Sequence, residues 1–218
     1  PYVAITGTNG KTTITTLVGQ IMAAGGLRAP VGGNIGEPLV NLVHQEADVI
    51  VAEISSFQLE TIHDFRPKVA VLLNFTDDHL NRHGSREVYW SMKRRLFENQ
   101  EADDWAILNA DDAQVWGLHG QLRARELPFS AERTLPMGVF VRDGWIVAVR
   151  DGEDRPIMPV AEIQLRGRHN LENVLAAVAI AVAVGLPEGP IRAAVAAFTG
   201  VEHRIEPVRV LNNVQWIN

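Results

Sequence analysis

Four short segments of this chain are almost continuously apolar: residues 2–6, 49–54, 69–74 and 105–109. Runs of Val, Ile, Leu and Ala of that length read as strands buried on both faces. Between them lie stretches with helical spacing, including about 13–24 and the amphipathic segment Tyr89–Phe97. Such alternation is the signature of a parallel sheet covered by helices. Each apolar run ends in polar residues: Gly7-Thr8-Asn9, Glu53 through Ser56, Asn74 through His79, and Asn109 through Asp111. Ligands of open α/β sheets bind at the carboxyl ends of strands, so these four clusters are expected to converge on one crevice.

The pattern changes after about Pro128. Residues 139–149 alternate as a hairpin, with Asp143-Gly144 at the turn, and a further strand near Ala161–Leu165 is expected to extend it. Gly167-Arg168-His169-Asn170 then opens a long Ala-rich helix, about 171–184, which Gly185 and Pro187 stop; a second helix follows at about 191–198. The fold class expected is therefore α/β: a mostly parallel sheet of the phosphate-loop type flanked by helices, with a small antiparallel β-layer. No internal repeat or flexible linker interrupts it. The longest apolar run, Val174 to Leu186, is shorter than a membrane span and reads as a buried helix. Pro1 stands directly before a core strand, and Val214-Gln215-Trp216-Ile217 reads as an unfinished one, so residues 1–218 are expected to be a single domain of a longer protein.

Composition narrows the function classes. The chain is 46% hydrophobic and 21% charged, ordinary for a soluble globular protein, and its net charge of −6 offers no broad basic face for nucleic acid. It has no cysteine, which excludes a disulfide framework and thiolate metal sites and fits a reducing cytoplasm. Neither a leader segment nor a membrane span is expected.

The most informative chemistry is Thr6-Gly7-Thr8-Asn9-Gly10-Lys11-Thr12-Thr13, between the first strand and the first helix. Gly7 and Gly10 allow a tight turn that points backbone N–H groups at an anion; Lys11 reaches phosphate oxygens, and the Thr12 hydroxyl is placed to ligate Mg²⁺. The usual pattern has a glycine five residues before Gly10, where this chain has Ile5, so the loop is a shortened variant. Glu53 ends the second core strand and is either a metal carboxylate or part of a helix start capped by Ser55 or Ser56. Asp77-Asp78-His79 could ligate a divalent ion or be solvated loop. Lys93 cannot be separated by periodicity from Arg94 or Arg95. Asn170 and Asn173 share a helix face and could read an adenine edge or cap the helix. Arg204 could stabilise phosphoryl charge or be an exposed cation.

These motifs, with Gly33-Asn34-Ile35-Gly36, Gly167 to Asn170 and His203-Arg204, resemble the central, ATP-binding domain of the Mur ligases across essentially the whole chain. Within that family, residues 53–60 and 77–85 are similar to the D-glutamate-adding branch. The resemblance implies a monomeric, cytoplasmic, ATP- and Mg²⁺-dependent ligase of cell-wall synthesis, acting on UDP-N-acetylmuramoyl-L-alanine and D-glutamate through an acyl phosphate. It implies that Gly7 to Thr13 bind the nucleotide phosphates, that Thr12 and Glu53 hold one Mg²⁺, and that His79 holds the second. It further implies an N-carboxylated Lys93, a muramyl substrate facing Asn34, Ser55 and Gln58, adenine facing Asn170 and Asn173, and phosphates facing Arg204. Lys11, Lys93 and His79 would be catalytic. Asn81 departs from the family, which usually has Asp there. Separate domains for the UDP moiety and for the amino acid would lie outside residues 1–218. The rival expectations are a ligase for another amino acid or a folate-type substrate, and a nucleotide-binding module without ligation.

Overall fold

The structure, a computed structural model, describes residues 1–201, 207–211 and 214–217. Its central sheet has six parallel strands in the order β2-β3-β1-β4-β5-β6. The four apolar runs supply the middle of it: β1 (Tyr2–Thr6), β3 (Ile50–Glu53), β4 (Val69–Leu72) and β5 (Trp105–Leu108). The two edge strands, β2 (Val31–Gly33) and β6 (Arg125–Glu126), carry no such run, and their pairing is imposed by the neighbouring strand.

Alternation along the strands divides the interior into two cores. Val3, Ile5, Val51, Val69, Val71 and Ile107 face one side, where they pack against α1 (Lys11–Ala24) and α7 (Arg168–Val184). Ala4, Ala52, Ala70 and Ala106 lie in register across four strands on the other side. That row of methyl groups leaves room for the larger Tyr89, Leu96 and Phe97, from α5 (Arg86–Arg94) and the 3₁₀ turn after it.

A second sheet runs β10-β9-β8-β7. The hairpin of β8 (Gly138–Arg142) and β9 (Trp145–Arg150) turns at Asp143 and Gly144, both at positive φ (51° and 76°), as a two-residue turn between twisted strands requires. The third antiparallel strand is not at 161–165: it is β10, Glu153–Pro159, and Val160–Glu162 is a 3₁₀ turn. Pro156 and Pro159 disguise it, but prolines are tolerated on an edge strand, which β10 is. β7 (Phe129–Ser130) pairs parallel to β8, so this small sheet is mixed.

α7 is buried from Asn173 to Ala183, sandwiched between α1 and the second sheet, which is why its sequence is apolar almost all round. It ends at Gly185 in the left-handed region (φ 91°), and α8 (Glu188–Ala197) follows. The last two strands, β11 (Pro207–Leu211) and β12 (Val214–Ile217), pair antiparallel. Among the described residues no helix is long and apolar enough to cross a membrane.

Candidate active site

β1 connects through α1 to β2 on one side of it in the sheet, whereas β4 connects to β5 on the other; the loop between β1 and α1 sits at this switch point. Gly10 is the residue before α1 and holds φ 85°, where a Cβ would also come within 2.3 Å of Asn173 Oδ1. The start of α1 has no side-chain cap and no acidic residue in its first turn. Its first-turn N–H groups, which have no partner within the helix, and its positive end therefore face the loop, a fit for phosphate. Asn74 braces the loop from β4's end: its Oδ1 accepts from the Thr8 and Asn9 N–H groups (3.0 and 2.9 Å), and its Nδ2 donates to the Asn9 carbonyl (3.1 Å). Lys11 curls back over the same loop, donating from Nζ to the carbonyls of Gly7 (3.0 Å) and Thr8 (2.8 Å). Thr13 is half-buried in the first turn of α1.

Glu53 ends β3 with 1% exposure. Thr12 Oγ1 donates to its Oε2 (3.0 Å) and Asn34 Nδ2 to its Oε1 (2.9 Å). A buried carboxylate met by two neutral donors has gained little of the compensation it lost on leaving water. These oxygen donors fit a hard cation such as Mg²⁺, which keeps several ligands from water and phosphate. Among the described residues no group of three or more His, Cys, Asp and Glu side chains could hold a metal by itself. An ion beside Glu53 would thus need further oxygen ligands, from the Thr12 hydroxyl, water or a bound phosphate.

Lys93 comes from the last turn of α5 and is only 2% exposed. Its Nζ donates to the Gly7 carbonyl (2.8 Å) and lies 4.8 Å from the centre of the Tyr89 ring. Burial, with the Lys11 charge adding to it and Asp78 opposing, lowers its pKa to about 7. The neighbours behave differently: Arg94 is exposed, and Arg95 donates to the carbonyls of Leu59, Glu60 and Ile62. Helical spacing does not separate them, because Trp90, Arg94 and Phe97 share a stripe as Tyr89, Lys93, Leu96 and Phe97 do; the packing on the alanine row does.

His79 is exposed, sits in the left-handed region (φ 52°) and precedes the one-turn α4 (Leu80–His83). Its ring is 5.1 Å from that of Phe57 and 6.3 Å from that of Tyr89, and Nε2 lies 3.4 Å from Asp78 Oδ2. Tyr89 in turn reaches the loop before α1, its hydroxyl 3.3 Å from Thr8 Oγ1.

Ser55 and Gln58 form a capping box at the start of α3 (Ser56–Leu59): Gln58 N–H donates to Ser55 Oγ (3.2 Å) and Ser55 N–H to Gln58 Oε1 (2.8 Å). The capping alternative for this segment is therefore realised. Asn170 donates to the Arg166 carbonyl (2.8 Å), while the buried Asn173 lies against Gly10 and 3.5 Å from Asn170. Arg204 lies outside the described residues. Sequence reasoning assigned no role to Asn74, to Tyr89 or to the contact of Ser56 Oγ with His83 Nε2 at 3.0 Å. For Asn74 a signal existed: an amide at the end of the strand beside a glycine loop.

The Mur ligase middle domain family matches residues 5–181. UDP-N-acetylmuramoylalanine--D-glutamate ligase of Geotalea uraniireducens is 49% identical over 218 residues, covering 99% of this chain and 48% of that protein. The enzyme of the same name from Pelotomaculum thermopropionicum is 48% identical over 220 residues, with 100% and 48% covered. The chain thus spans about half the length of the curated relatives it matches. Among solved structures, UDP-N-acetylmuramoyl-L-alanyl-D-glutamate--2,6-diaminopimelate ligase superposes with a TM-score of 0.76 at 25% identity, over 95% of this chain and 48% of that one. A pseudomurein peptide ligase type C from Methanothermus fervidus shares the fold, with a TM-score of 0.73 at 22% identity over 96% of this chain and 51% of that one.

Proposed function

This chain belongs to the Mur ligase middle-domain family, and from that premise we propose that it is the nucleotide-binding part of an ATP-dependent, D-glutamate-adding ligase. The acceptor would be UDP-N-acetylmuramoyl-L-alanine, the product an amide of a peptidoglycan precursor, and the compartment the cytoplasm. Relatives that carry the D-glutamate ligase name match it over nearly its whole length. Their greater length supports further domains for the UDP moiety and for the amino acid in the full-length protein, which we take to be a monomer.

The observation that carries the reading is Lys93, buried with its Nζ on the Gly7 carbonyl and its pKa drawn down to about 7. A nucleotide switch has no use for such a lysine. A ligase that must carboxylate it does, because only the free amine adds CO₂. The nitrogen lone pair attacks the carbon of CO₂, an N–C bond forms, and one proton leaves to solvent. Lys11, which lowers the Lys93 pKa through its charge, would also favour the resulting anion.

Bound ATP would supply the phosphoryl group that activates the substrate carboxylate for displacement by the incoming amine, and Mg²⁺ would offset the phosphate charge. The chain's own residues would do the rest. Gly7 to Thr13 would receive the phosphates, with Lys11 turning from the Gly7 and Thr8 carbonyls toward them. Thr12 and Glu53 would hold one Mg²⁺, and His79 with carboxylated Lys93 the second. Asn34, Ser55 and Gln58 would orient the muramyl substrate, Asn170 and Asn173 the adenine, and Arg204 the phosphates.

Phosphate release by the full-length protein, measured against a panel of amino acids, tests this reading. Release that requires both UDP-N-acetylmuramoyl-L-alanine and D-glutamate is expected; equal release with another amino acid, or none with any, overturns it. Residues 1–218 alone are expected to bind nucleotide weakly and to release no phosphate with the two substrates.

A further inference from the structure

Ser56 and His83 lie 27 residues apart, yet Ser56 Oγ is 3.0 Å from His83 Nε2. Neither is needed where it stands for local reasons. Ser55, not Ser56, caps α3, and α4 closes through backbone hydrogen bonds, including His83 N–H to the His79 carbonyl at 3.1 Å. Both side chains are withdrawn from water, Ser56 at 2% and His83 at 8% exposure. Glu60 Oε1 lies 3.5 Å from His83 Nδ1, which favours the tautomer with its proton on Nδ1 and leaves Nε2 to accept from the Ser56 hydroxyl. The His83 ring stacks on Phe57 (5.2 Å, 17° between planes) and packs 5.1 Å from Tyr89.

α3 and α4 have four residues each, too short to hold a helical shape by themselves. One carries Ser55 and Gln58 at its start; the other is preceded by His79, a single turn from His83. A shift of His83 therefore moves His79, and a shift of Ser56 moves its neighbour Ser55. We propose that the Ser56–His83 hydrogen bond is a positioning pair, which fixes the substrate-facing turn of α3 relative to the loop that presents His79. This rests on the reading of Ser55, Gln58 and His79 given above. Packing alone would be served as well by a phenyl ring at 83, so the two accounts part at His83→Phe.

The test uses the full-length protein and the variants Ser56→Ala, Ser56→Thr, His83→Phe and the double variant Ser56→Ala/His83→Phe. Steady-state kinetics gives KM for UDP-N-acetylmuramoyl-L-alanine and for ATP. Electron paramagnetic resonance follows Mn²⁺ binding in the presence of ADP, with no turnover. Ser56→Ala and His83→Phe are each expected to raise the muramyl KM about five- to tenfold, with the ATP KM within twofold of the parent. Both should weaken one of two Mn²⁺ sites by a similar factor. The double variant should be no worse than either single one, and Ser56→Thr, which keeps the hydroxyl, should behave as the parent. Unchanged parameters, an equal loss in both KM values, or effects that multiply in the double variant overturn the proposal. If His83→Phe fails to fold, the Ser56→Ala and Ser56→Thr pair decides alone. Should the parent show no D-glutamate-dependent ligation, the functional reading fails, and the Mn²⁺ titrations still decide whether the pair positions His79.

Discussion

The two ends of the central sheet treat buried charge in opposite ways. At the amino ends, Asp104 before β5 is fully buried, with Arg66 Nε at 2.6 Å and Lys68 Nζ at 2.9 Å from its oxygens. Burial alone would raise its pKa, but Arg66, the Glu101 N–H and Lys68 together bring it down to about 2. At the carboxyl ends, Lys93 is just as withdrawn, but its nearest polar partner is a neutral carbonyl, and Lys11 repels its charge more than Asp78 attracts it. Glu53, also buried, is likewise met by a hydroxyl and an amide. The first arrangement locks ionised groups in place as structure. The second keeps groups of both signs incompletely compensated, which costs stability and suits a site completed by phosphate and cation.

If that contrast holds, the largest functional effect follows from removing the carboxyl-end lysine. Lys93→Ala in the full-length protein should lower turnover about 10²- to 10³-fold, a loss typical of deleting one electrostatic catalytic group. Partial recovery in added acetate or formate would place a carboxylate, rather than an ammonium, at that position; recovery in added alkylamines would reverse the assignment. At the other end of the sheet, Asp104→Asn should leave nucleotide affinity alone and destabilise the fold by about 2 kcal/mol, as loss of charged hydrogen bonds to a buried group does. Urea unfolding with a parallel nucleotide titration separates the two effects, and a variant that loses affinity while keeping its midpoint would erase the contrast.

The same contrast has a pH signature. Lys93 falls from the ordinary 10.5 to about 7 in the folded protein. Between those values the unfolded chain holds more proton than the folded one, so this group makes stability rise with pH, by at most about 1.4 kcal/mol per unit. Below about 7 both states are protonated and its penalty is constant. In CO₂-free buffer the urea midpoint of Lys93→Met should therefore exceed that of the parent at pH 6.5, with the gap closing as pH climbs toward 10. A gap that stays constant over that range would mean that Lys93 is not held toward neutrality.

How much of this was legible beforehand follows from which interactions are local. The glycine turn between β1 and α1, the four middle strands and the Asp143-Gly144 hairpin are written in short-range pattern, and each stands where the pattern puts it. β2, with Val31-Gly32-Gly33, is a strand only because β3 offers it a ladder, and β10 hides behind two prolines that an edge position forgives. Bringing Thr12 and Asn34 onto the Glu53 carboxylate needs β3 seated in parallel register between β1 and β2, which spacing alone does not give. The Ser56–His83 contact joins two one-turn helices, elements whose pattern is too short to read. Lys93 is the polar member of an apolar stripe, but so is Arg94 between Trp90 and Phe97, and nothing local says which stripe lies over the row of alanines and reaches the Gly7 carbonyl.

The smallest expected effect marks where the amino-end rule stops. Arg28 meets Glu46 at 2.8 Å and Asp48 at 3.2 Å, so a count of ion pairs would rank it with Arg66. Its side chain is 58% exposed, however, and Asp48 also accepts the Arg28 backbone N–H at 2.8 Å, a bond that survives loss of the guanidinium. Exposed pairs gain little in water and are screened by salt, so burial rather than pairing should decide the outcome. Arg28→Ala is therefore expected to leave the urea midpoint within measurement error at 0.15 M salt, while Asp104→Asn moves it clearly under identical conditions. Equal shifts for the two variants would show that charge at this end of the sheet acts through number and not through burial, and the difference between the two ends would then be one of composition alone.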